Sequence, residues 1–133
     1  MFGKKDPTNI KTLIAHGTCI EGDMKFEDGL RVDGEVHGAI RANAGDGSLL
    51  VISEGALVEG GVKADRVIIN GTVNGPVEAR EVLELQAKAK ISGDVQYAAL
   101  EMHHGATILG QLRPLESASS EDKAPIRLAA TNP

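Results

Sequence analysis

His103 and His104 stand side by side, and paired imidazoles are a natural place to look for a metal or a proton shuttle. Adjacent residues on a strand point to opposite faces, so this pair does not readily hold one ion. With His16 and His37 they are the only histidines, and a structural or solvated role is expected for all four. Cys19 is the only cysteine, which leaves no disulfide framework and no cysteine-based metal site. It reads as an ordinary buried or half-buried thiol, in a reduced compartment. Gly45-Asp46-Gly47 begins like a dinucleotide fingerprint, but residue 50 is Leu where the third glycine belongs, and no helix follows. There is no Walker-type loop. The sequence therefore predicts no catalytic, cofactor-binding or metal residues, and a protein that is not an enzyme.

The elements that would position any site explain the rest of the composition. Of 133 residues, 41% are hydrophobic but only 2% are aromatic, so the core must be aliphatic and finely divided. The net charge of -5 disfavours a nucleic-acid surface. No apolar run has signal-peptide or transmembrane length. INGTVNGPV, residues 69–77, sets glycines between aliphatics at a spacing that suits neither a helix nor a plain strand. The unit aliphatic-x-Gly-x-aliphatic starts at Ile20, Val36, Val58, Val73, Ile91 and Ile108, giving steps of 16, 22, 15, 18 and 17. A second ladder, aliphatic-x-aliphatic, interleaves with it and ends in Val32, Ile52, Ile69, Leu85 and Met102.

A period near 17 is short for a helical repeat and suits one coil of a β-solenoid. The gap between ladders is four residues at Val32–Val36 and Ile69–Val73, and six at Ile52–Val58, Leu85–Ile91 and Met102–Ile108. The difference of two preserves the inward and outward alternation. The long step contains RANAGDGS, residues 41–48, a loop inserted at a corner. The expected structure is all-β, a single parallel β-helix of about six short coils. The expected core includes Ile20, Val32, Val36, Ile52, Val58, Ile69, Val73, Leu85, Ile91 and Met102.

The flanks differ from the repeat. Residues 1–12 form a flexible start, 13–115 the β-helix, and 116–133 a polar, disordered tail. Met1, Phe2, Lys4 and Lys5 read as a membrane-surface anchor. Burying Phe2 contributes about 2 kcal/mol, and each lysine near anionic headgroups about 1 kcal/mol. Together they give only about millimolar binding, so the anchor works through many copies on one polymer.

The glycine-punctuated repeat, the MFGKK start and the tails together resemble the bactofilin family. The resemblance implies a right-handed, triangular β-helix and a cytoskeletal scaffold. It implies filaments that form without nucleotide, join through the β-helix ends and lie against the cytoplasmic face of the inner membrane. It also implies partners among peptidoglycan-remodelling enzymes or other envelope proteins, with no nucleic acid and no cofactor. The expected polymer contact is the last coil, through Ile108, Leu109 and Leu112, where the family commonly has an aromatic residue. Two alternatives share parts of the pattern. A left-handed hexapeptide acyltransferase fits the six-residue spacing of Ile14, Ile20, Phe26 and Val32, but there the small residue directly follows the aliphatic one. A β-helical cell-division regulator would share the polymer logic.

Overall fold

The computed structural model describes residues 10–115 except 44 and 46. Met1, Phe2, Lys4, Lys5 and the tail over 116–133 lie outside the described residues. Fifteen short strands, with no helix among the described residues, wind into six coils. The first coil holds β1 (Thr12–Ile14), β2 (Cys19–Glu21) and β3 (Met24–Phe26). The second holds β4 (Gly29–Val32), β5 (Glu35–His37) and β6 (Ile40–Ala42). The third runs through β7 (Leu49–Ile52), β8 (Leu57–Glu59) and the first half of β9 (Val62–Ile69). The fourth takes the rest of β9, β10 (Thr72–Asn74) and the start of β11 (Val77–Leu85). The fifth takes the rest of β11, β12 (Lys90–Ser92) and the start of β13 (Val95–Met102). The sixth ends with β14 (Thr107–Leu109) and β15 (Leu112–Pro114).

All pairing is parallel, with a register shift between Ala79 and Val82 of β11 against both its neighbours, and it produces three stacked faces. On the first face Ile14 pairs with Val32, then Ile52, Ile69, Leu85 and Met102. On the second, Ile20, Val36, Val58, Val73, Ile91 and Ile108 form one column. On the third, Met24, Ile40, Val62, Val77, Val95 and Leu112 form another. Aliphatic side chains point inward at alternate positions, and stacking like on like fills a narrow interior without large anchors. Val32, Val36, Ile52, Val58, Ile69, Val73, Leu85 and Ile91 are buried. Ile20, in the first coil, is half-buried. Met102 corrects the expected core, since it is 45% exposed. Among the described residues, no strand pairs with the far side of Ala99–Met102, so its column simply ends there. Cys19 is also exposed, because it occupies an outward position of β2.

The corners account for the glycines and for the alternating gaps. In the wide corners, turns close from Thr18 to Ala15, Ala56 to Ser53, Ala89 to Gln86 and Ala106 to His103. The tight corners carry Gly34 and Gly71 and nest against a preceding wide turn. A Cβ on Gly34 would lie 2.4 Å from the Thr18 carbonyl oxygen, and one on Gly71 2.4 Å from that of Ser53. At another corner the glycines of the aliphatic-x-Gly-x-aliphatic unit stack in a column. A Cβ on Gly75 would lie 2.3 Å from the Gly60 carbonyl oxygen, a space no side chain can share. The inserted segment falls between β6 and β7, shorter than the loop expected over 41–48, since Arg41 and Ala42 belong to β6 and Ser48 is buried.

Beneath that segment lies buried polar chemistry. Asp65 accepts from the Gly47 amide at 2.7 Å and from Arg80 Nη1 at 3.0 Å. The Asp65 amide donates to Ser48 Oγ at 3.0 Å. Arg80 Nη2 also donates to the Ala42 carbonyl, and Arg66 Nη2 to that of Gly47. Buried Asp65 and Ser48 thus take part in several hydrogen bonds, as burial requires.

Candidate polymer-joining ends

Among the described residues, the middle coils pair on both sides, whereas the first and last pair on one side only. β1, β2 and β3 hydrogen-bond to β4, β5 and β6 alone. At the other end, β14 and β15 pair only with β12 and β13. Among the described residues, the outer edges of both terminal coils have no strand partner, and unpaired edges template further strands.

Side chains at these edges are apolar. Leu112 continues the buried column of Val95, yet is 45% exposed. Ile108 stacks on Ile91 and is half-buried, and Leu100 and Tyr97 are partly buried beside them. At the opposite end Ile20 and Met24 are half-buried, while Ile14 and Phe26 are covered. Completing the burial of one half-exposed aliphatic contributes about 1 kcal/mol.

Of the three residues expected at the polymer contact, Ile108 and Leu112 lie at the C-terminal end surface. Leu109 is paired with Ser92 in an outward column of the second face, 68% exposed on the flank of the rod. Sequence reasoning placed Ile20 and Met102 in the core and not at an end, and did not single out Leu100, Tyr97 or Met24. For Ile20, Met24, Leu100 and Met102 the signal was present, because each is the first or last member of a column.

Charges around the ends are solvated. Lys11 and Asp28 pair at 3.0 Å at the first coil, and Arg113 approaches Asp94 at 3.7 Å at the last. Exposed pairs of this kind contribute little. The adjacent histidines lie not on a strand but in the corner after β13, where a turn closes from Ala106 to His103. His103 Nε2 lies 3.0 Å from Glu84 and 3.6 Å from Glu101, and His104 is exposed outside that group. Hydrogen bonds from the Ser53 side chain, then from Arg31, hold the Asp33 carboxyl below the usual carboxylate range. Among the described residues, no helix is long and apolar enough to cross a membrane.

The described residues stack as a rod of coils, and comparison with known proteins gives its family. The family model for bactofilin, described as polymer-forming cytoskeletal, matches residues 12–113. The chain is 26% identical to Bactofilin BacO of Myxococcus xanthus (strain DK1622) over 111 residues, 84% of this chain and 85% of that protein. It is 25% identical to Bactofilin BacP of the same organism over 122 residues, 92% of this chain and 47% of that one. No solved structure gives a significant match. The chain belongs to the bactofilin family, whose members are polymer-forming cytoskeletal proteins.

Proposed function

We propose that this bactofilin is a non-enzymatic scaffold that polymerises end to end without nucleotide and lies as filaments against the cytoplasmic face of the inner membrane. There it organises cell-shape or envelope machinery, with peptidoglycan-remodelling enzymes or other envelope proteins as partners. Self-assembly follows from the family; the end-to-end geometry is supported by one observation above others. Exposure of inward columns is confined to the terminal coils, at Met102 and Leu112 on one side and at Ile20 and Met24 on the other. Lipid contact rests on Met1, Phe2, Lys4 and Lys5, whose weak individual binding gains strength from repetition along a polymer.

Electron microscopy of the purified full chain, with chelator and no nucleotide, tests the assembly. Unbranched filaments are expected. Compact particles of fixed size at all concentrations would sink the proposal and favour a closed oligomer.

A further inference from the structure

On the outer surface of the second face, register brings together residues that are far apart in sequence. Cys19 pairs with Glu35 across β2 and β5, and Glu21 with His37. His37 pairs in turn with Glu59 of β8. Glu35 and His37 are two apart on one strand, so both side chains point outward together. The Cys19 thiol, a Glu35 carboxylate oxygen and an imidazole nitrogen of His37 all lie within 4.8 Å of one another. A cleft of about 230 Å³, lined in part by Thr18, Cys19, Gly34 and Glu35, opens beside them.

The orientation of His37 is the telling detail. Its Nδ1 lies 2.8 Å from Glu59 Oε1, which fixes the ring. Its Nε2 lies 3.2 Å from Glu35 Oε1. Two ligand atoms bound at about 2.0–2.1 Å to a tetrahedral zinc ion are themselves about 3.3 Å apart. A carboxylate behind the ligating imidazole is the usual support in such sites, since it sets the tautomer that leaves the other nitrogen free. With Glu21 adjacent, three carboxylates surround one thiol and one imidazole. The same charges disfavour a free thiolate: desolvation, then Glu35 and Glu21, push the Cys19 thiol up. Glu59, then Glu35, push His37 up as well. A cation reverses both preferences.

We propose that Cys19, Glu35 and His37 bind a divalent transition-metal ion of the zinc class, with Glu59 as the positioning residue behind His37. On binding, the thiol loses its proton to solvent and His37 is held neutral. The ion links the first coil to the second directly and to the third through Glu59. It thereby braces the N-terminal end of the rod, where Ile20 is only half-buried. This site is independent of how the ends join. Spacing in the sequence does not show it, because the residues meet only through the coil register.

The test uses the full chain, reduced and stripped with chelator, titrated with cobalt chloride. Cys19 is the only cysteine, so a sulfur-to-cobalt charge-transfer band can arise only there. The expected result is a band that saturates at one equivalent, is lost in Cys19→Ser and is displaced by zinc. His37→Ala and Glu35→Gln should each weaken binding at least about tenfold, and Glu59→Gln about 10- to 100-fold. All four positions are at the surface, and circular dichroism checks that the variants stay folded. Absence of the band at saturating cobalt overturns the site. So does a band unaffected by His37→Ala and Glu35→Gln, which would mean adventitious thiol binding. Saturation at half an equivalent would place the ion between two chains and overturn the single-chain site.

Discussion

Arg80 Nη1 lies 3.0 Å from Asp65 Oδ1, across the corner where the inserted loop leaves the solenoid, and Asp65 is 1% exposed. The loop is therefore tied down by an ion pair beneath it. Truncating one partner strands the other, so Asp65→Ala should cost about 3–5 kcal/mol. Urea denaturation measures this. A loss below about 1 kcal/mol would show that water satisfies Arg80 and the loop amides without Asp65.

Gly75→Ala should destabilise far more than Gly55→Ala. Both have positive φ, +154° and +87°, and an alanine pays about 1–2 kcal/mol for a left-handed backbone. At Gly55 the added Cβ meets nothing within 4 Å, whereas at Gly75 it strikes the Gly60 carbonyl. Melting temperatures of the two variants give the comparison. Equal shifts would mean that the coils separate easily and that the glycine column does not set their spacing.

Ile69→Asp should unfold the domain. Ile69 is fully buried in the fourth coil. An unpaired buried carboxylate costs several kcal/mol, comparable to the whole stability of a small domain. A soluble variant with unchanged circular dichroism and melting temperature would contradict its inward position.

Leu112→Arg should leave folded monomers or dimers in place of filaments. At the joint the charge is desolvated without a partner, a cost of several kcal/mol repeated at each contact. In the free chain Leu112 is 45% exposed, so the arginine reaches water and the fold survives. Sedimentation velocity distinguishes the species, and dimers would mean that the opposite end still pairs. Normal filaments would move the joint away from the C-terminal coil, and the exposed flank at Leu109 would become the better contact.

Deleting Met1–Lys5 should release the protein from anionic vesicles and leave polymers intact. Monomers of Leu112→Arg should bind vesicles poorly as well, because avidity is lost. Cosedimentation of the deletion at the level of the full chain would place the lipid contact elsewhere.

The columns were legible because an aliphatic residue recurs wherever a strand turns inward, and Val36, Val58, Val73 and Ile91 stack as their spacing implies. Met102 fits the same pattern yet is exposed, since periodicity marks direction and not whether a next coil exists. Asp65 escaped for a local reason. Between inward Ala64 and inward Val67 stand two residues instead of one, so strict alternation breaks and a charged residue turns under the loop. β11 passes the same corner with one more residue, seen as a register shift between Ala79 and Val82. Cys19 and His37 are 18 positions apart, and no linear spacing rule connects them.

Residues 43–48 add length at a corner, yet β6 and β7 keep their parallel partners above and below. The axial rise is unchanged. Length along the rod is thus counted in whole coils: six coils span five spacings, about 24 Å at about 4.8 Å each. The molecule works as a ruler with fixed graduations. The corner between β6 and β7 carries its insertion without altering the dimension that one subunit contributes to a longer structure.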